Sequence, residues 1–130
     1  MAEINNYDSG TLLSGTSGVD TIVNYAEAVT VKSGKGNDLV INGEYFDRGG
    51  VKFVVDAGKG NDTIVSHGAY SSLVGGAGND AIYNGYYYYQ PWSRIYNNNG
   101  DGDVTLENYN GSYSTIDAGA GNDTIKNQGS

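Results

Sequence analysis

Gly75-Gly76-Ala77-Gly78-Asn79-Asp80-Ala81-Ile82-Tyr83 is the stretch from which the rest of the chain can be read. Its glycines let the backbone reach positive φ in a tight turn, and Ile82 then opens an inward-facing position of a strand. Ser33 to Ile41, Ala57 to Val65 and Ala118 to Lys126 repeat the pattern with a small residue in place of the first glycine, whereas Gly15 to Val23 and Asn97 to Leu106 are degenerate copies. Aligned on Gly-x-Asp, the residues Asp20, Asp38, Asp62, Asp80, Asp103 and Asp123 form one column with separations of 18, 24, 18, 23 and 20 residues. A period of this length is the mark of a stacked repeat in which each unit packs on its neighbours. The fifth copy reads Asn99-Gly100-Asp101-Gly102-Asp103, so either Asp101 or Asp103 takes the ligand place there.

Two apolar columns flank the aspartates at fixed offsets. Two residues after them stand Ile22, Val40, Ile64, Ile82 and Ile125, with Thr105 as the weak member; seven before them stand Leu13, Val31, Val55, Leu73 and Ile116, and Ile95 fills the remaining rung if that coil carries an extra residue. A further column, Asn24, Asn42, Asn84 and Asn127, reads as an asparagine ladder at the second turn, with Ile4 and Asn6 as the tail of a preceding coil. Strand, glycine turn, strand and loop, repeated, give the expected fold: all-β, a parallel β-roll or β-solenoid of about six coils over a single domain, residues 1–130. Because the array begins and stops within a repeat, it is expected to be a segment of a longer array.

Composition narrows the function classes. The chain has 21 Gly and one Pro in 130 residues, and its 15 Asp plus Glu against 7 Lys plus Arg give a net charge of −8. Nucleic acid and anionic membranes are therefore poor partners, cations are good ones, and no apolar run is long enough for a membrane span. With no Cys and a single His, His67, a zinc site or a nucleophile–base pair has nothing to build from, so the chain is expected not to be an enzyme. The stacked turns suit calcium instead: this hard cation takes six to eight oxygens, which glycine-turn carbonyls and one carboxylate per coil can supply. Aspartates stacked at strand spacing repel unless a cation lies between them.

The nonapeptide quoted above resembles the RTX, or haemolysin-type, calcium-binding repeat. The resemblance implies a calcium-dependent β-roll of a secreted or cell-surface bacterial protein, with Ca2+ held between successive turns. Carried onto matching positions, the implied metal-site residues are Gly18 and Asp20; Ser33, Gly34, Gly36 and Asp38; Ala57, Gly58, Gly60 and Asp62; Gly75, Gly76, Gly78 and Asp80; Asp101 and Asp103; and Gly119, Gly121 and Asp123. Asp38 with Asp62 and Asp62 with Asp80 are the best-formed pairs. One departure stands out: each coil here has one such nonapeptide rather than two, so calcium is expected along one edge only.

Aromatic residues gather in the opposite half-turns. Tyr45, Phe46, Tyr86, Tyr87, Tyr88, Tyr89 and Trp92 lie on the two longest, Gly43 to Gly50 and Gly85 to Arg94. This second edge is expected either to cover the roll or to contact a glycan or a neighbouring repeat module.

Overall fold

The structure, a computed structural model, describes residues 2–44, 47–48, 53–66, 72–84, 90–91, 94–96, 105–108, 111–112, 115–117 and 124–127. Its strands are short, as the close spacing of glycine turns requires. They are β1 (Glu3–Asn6), β2 (Leu12–Ser14), β3 (Thr21–Asn24), β4 (Thr30–Lys32), β5 (Leu39–Glu44) and β6 (Asp47–Arg48). Then come β7 (Val54–Asp56), β8 (Thr63–Ser66), β9 (Ser72–Val74), β10 (Ala81–Asn84) and β11 (Gln90–Pro91). The last are β12 (Arg94–Tyr96), β13 (Thr105–Asn108), β14 (Gly111–Ser112), β15 (Thr115–Asp117) and β16 (Thr124–Asn127).

The chain alternates between two parallel sheets. One runs β1-β3-β5-β8-β10-β13-β16 and the other β2-β4-β7-β9-β12-β15, so each sheet takes nearly every second strand. The result is a β-solenoid of about four turns. The glycine turns lead from the second sheet into the first: β2 into β3, β4 into β5, β7 into β8 and β9 into β10.

Register places the apolar columns face to face. Ile4, Ile22, Val40, Ile64, Ile82, Leu106 and Ile125 pair in succession along the first sheet. Leu13, Val31, Val55, Leu73, Ile95 and Ile116 do so along the second. Ile22, Val40, Ile64, Ile82, Val31, Val55 and Leu73 have no solvent contact, each contributing about 2 kcal/mol of burial. Ile95 occupies the rung expected of an insertion-bearing coil.

One column member differs from expectation. Thr105 pairs with Ala81, and Leu106 with Ile82, so Leu106 stands in the apolar column and Thr105 is exposed. The reason is the two-residue period of a strand: a slip by one would carry the Thr105 hydroxyl to the opposite face, into the apolar column. In each preceding turn the residue just before the first-sheet strand is the aspartate, and before Thr105 that residue is Val104. Asp103 lies one position further back.

The corners add what the column count missed. Val29 and Phe53 are fully buried, and the Val54 amide donates to the Val29 carbonyl at 3.0 Å, stacking the two just ahead of the second-sheet strands. The asparagine ladder is also more continuous than its sequence signal: Asn6, Asn24, Asn42, Ser66, Asn84, Asn108 and Asn127 share one register position. Asn6 Nδ2 donates to Asn24 Oδ1 (2.8 Å), Asn24 Nδ2 to Asn42 Oδ1 (2.9 Å) and Asn42 Nδ2 to Ser66 Oγ (3.2 Å). Amide to amide, the ladder satisfies buried polar groups at the turn opposite the glycines.

Candidate functional site

The glycine turns stack as tightly as the strands. Lys35, Lys59 and Ala77 form parallel bridges across three successive turns. The Lys59 amide donates to the Gly34 carbonyl (2.9 Å) and the Ala77 amide to the Gly58 carbonyl (2.8 Å). Gly34, Gly58 and Gly76 hold φ of 108°, 94° and 97°, a conformation L side chains rarely adopt. A Cβ on Gly58 would collide with the Gly34 carbonyl oxygen, and one on Gly60 with that of Gly36. Carbonyl oxygens of one turn thus occupy the space that side chains of the next would fill, which is why these positions take glycine. The first turn position is held by Ser33, Ala57 and Gly75, all buried; the Ser33 hydroxyl donates to the Ala57 carbonyl at 2.9 Å.

The Asn-Asp pair at the end of each turn straps the coils together in opposite directions. Asn37 Oδ1 accepts the Asn61 amide (2.8 Å) and Asn61 Oδ1 the Asn79 amide (2.9 Å), so each asparagine reaches forward to the next coil. Each aspartate reaches back. Asp38 Oδ1 accepts the Asp20 amide (2.9 Å), Asp62 Oδ1 that of Asp38 (2.8 Å) and Asp80 Oδ1 that of Asp62 (2.9 Å).

One oxygen of each carboxylate is therefore committed. The other, Oδ2 of Asp38, Asp62 and Asp80, is buried and has no hydrogen-bond partner. Native structures rarely leave a buried polar atom in this state without an ion or water to meet it. Burial pushes the Asp62 carboxyl up to about 7, against the lowering effect of the Asp38 amide, with the neighbouring Asp80 and Asp38 charges adding to the rise. The Asp80 carboxyl is raised for the same leading reason.

Asp20 differs. Its Oδ2 accepts the Thr16 amide, and its Oδ1 accepts both the Thr16 hydroxyl (2.8 Å) and the Ala2 amide (2.7 Å). The Thr16 amide is the main reason that its carboxyl lies below the usual range.

Among the described residues no three His, Cys, Asp or Glu side chains converge on one point. The oxygens these turns present are those of adjacent aspartates and of backbone carbonyls, hard donors of the kind calcium takes and zinc sites seldom use.

The structure thus brings together Gly18, Asp20, Ser33, Gly34, Gly36, Asp38, Ala57, Gly58, Gly60, Asp62, Gly75, Gly76, Gly78 and Asp80 along one edge, with Asp20 in a separate chemical state. Asp101, Asp103, Gly119, Gly121 and Asp123, and the aromatic residues Tyr45, Phe46, Tyr86, Tyr87, Tyr88, Tyr89 and Trp92, lie outside the described residues. Thr16 is the residue that sequence reasoning missed; the signal was its place at the position held by Gly34, Gly58 and Gly76 in the later turns. Compared with known proteins, the chain matches no family model, no curated protein and no solved structure.

Proposed function

We propose that this chain is a calcium-binding β-roll module of about six coils from a secreted or cell-surface bacterial protein, that it folds on binding calcium, and that its role is structural rather than catalytic. The observation that carries the reading is the row of three buried carboxylate oxygens without partners, Oδ2 of Asp38, Asp62 and Asp80. Like charges about 4.8 Å apart at an effective dielectric near 20 repel by about 3 kcal/mol per pair. A divalent cation between them reverses that sign.

The residues fit the ion. Asp38, Asp62 and Asp80 would supply charge, and the carbonyls of the glycine turns the remaining oxygens. Binding then offsets the cost of the carboxylate column, so that folding and ion uptake are one event. Affinities of about 0.1–1 mM, usual for extracellular calcium modules, would keep the chain unfolded where calcium is scarce. The count of six coils rests on β12 and β13, and on β15 and β16, continuing the two sheets in unbroken register.

Far-ultraviolet circular dichroism with a strong chelator and then with millimolar calcium tests this. A largely unordered chain that turns β-rich on adding calcium is the expected outcome. A spectrum equally β-rich under both conditions ends the calcium-coupled reading.

A further inference from the structure

The four described turns are not chemically equal, and the difference traces to one residue. Position two of the turn is Gly34, Gly58 or Gly76 in the later coils and Thr16 in the first. The glycines sit at φ near +100°, and in each of their turns the aspartate four residues on keeps an unpartnered Oδ2. Thr16 is absent from the positive-φ residues, as a β-branched side chain requires. Its amide meets Asp20 Oδ2 and its hydroxyl meets Oδ1.

The coil below completes the enclosure. The Thr21 amide donates to the Ala2 carbonyl (2.8 Å) just as the Leu39 amide donates to that of Asp20 (2.9 Å), which puts Ala2 at the aspartate position of the first coil. That position brings no carboxylate, and its amide donates to Asp20 Oδ1. Three donors thus surround the Asp20 carboxylate, where Asp38, Asp62 and Asp80 each show one, an amide of the neighbouring coil. A Cβ on Gly15 would strike Asp20 Oδ2, so the carboxylate is also packed against the turn backbone.

We propose that Thr16 takes the place of a cation at Asp20, so that the ion column begins at Asp38 and Asp20 is not a ligand. The inference rests on the calcium reading above and says where that column stops. A carboxylate with three protein donors has its charge already solvated by fixed dipoles, and a cation entering there would have to displace them. Thr16 acts as a built-in terminator: one residue decides whether a turn shares its carboxylate or saturates it.

Calcium stoichiometry by calorimetric titration tests this on the full chain, its Asp20→Asn variant and its Thr16→Gly variant. Asp20→Asn is expected to bind as many ions as the parent, and Thr16→Gly, which removes the hydroxyl from Asp20 Oδ1 and lets position 16 take the positive φ of Gly34, Gly58 and Gly76 so that its amide can leave Oδ2, one more. Adding Asp20→Asn to Thr16→Gly should return the count to that of the parent. A count lowered by one in Asp20→Asn, or unchanged in a folded Thr16→Gly, overturns the inference while leaving the calcium reading intact. Should Thr16→Gly fail to fold, the Asp20→Asn count decides alone. A parent that binds no calcium removes the proposed function, and this inference with it.

Discussion

The Asp62 amide donates to Oδ1 of Asp80 across 2.9 Å, which fixes one oxygen of the Asp80 carboxylate and turns the other, Oδ2, into a buried atom with no partner. Asp62 stands in the same relation to Asp38, so it is both a donor to one neighbour and an acceptor from the other. It is the central carboxylate of the unpartnered row.

Substituting that residue should have opposite effects with and without the ion. In chelator, Asp62→Asn removes a desolvated charge from between two others and is expected to raise stability by about 2 kcal/mol. In calcium, on the proposed reading, it removes a ligand shared by two gaps, so fewer ions should bind and the melting temperature should fall. Thermal melts in both conditions check the sign; a loss in chelator contradicts the repulsion argument.

Acid should mimic the ion. The folded-state Asp62 carboxyl, pushed up to about 7, lies above its ordinary value of 3.8. A group raised in this way contributes stability that is fully present below the unfolded value and lost as pH rises through the folded one. Without calcium, β structure is thus expected near pH 4 and is lost on approaching pH 7. With saturating calcium the trend reverses, because protons compete for the same oxygens. Circular dichroism against pH in chelator and in calcium reads both.

Two glycines separate backbone conformation from stacking. Gly10 has φ of 72° with nothing within 4 Å of a Cβ, so Gly10→Ala should cost only the conformational term, about 1 kcal/mol. Gly60, at φ of 133°, would drive a Cβ into the Gly36 carbonyl oxygen, and Gly60→Ala is expected to part the turns and abolish calcium-induced folding. Equal effects of the two substitutions would count against close turn stacking.

The opposite turn should matter for stability and not for ions. Asn24 donates to Ala26 O (2.8 Å) and Asn42 Oδ1 (2.9 Å) and accepts from Asn6 Nδ2 (2.8 Å) and the Ala26 amide (3.1 Å). Asn24→Ala leaves these buried groups unmet, at about 3 kcal/mol. Denaturation in saturating calcium should show that loss, with calorimetric stoichiometry unchanged.

Sequence spacing carries most of this fold, because a solenoid repeats its physics at every coil: Ile22, Val40, Ile64 and Ile82 announce one inner face, and Val31, Val55 and Leu73 the other. It falters where a coil departs from the repeat. Aspartate alignment favours Thr105, whereas strand register puts Leu106 opposite Ile82 and leaves Thr105 exposed. Ser66 and Asn108 escape the asparagine pattern, one by identity and one through that same shift. Phe53 reads as one aromatic among many until its burial beside Val29 is seen. The distinction between Asp20 and Asp38 needs hydrogen-bond geometry, since Gly-x-Asp is common to both turns.

The spacing between Asp38 and Asp62 is 24 residues, against 18 between Asp20 and Asp38, yet both sheets keep their register across it. Part of the surplus folds back as an antiparallel pair, Gly43 with Arg48 and Glu44 with Asp47, at the end of β5. That corner already absorbs a longer connection without disturbing either column, so a foreign peptide inserted between Glu44 and Asp47 is expected to leave the register of both sheets intact. On the proposed calcium reading, the ends of such an insert would be drawn together only when the ion is bound.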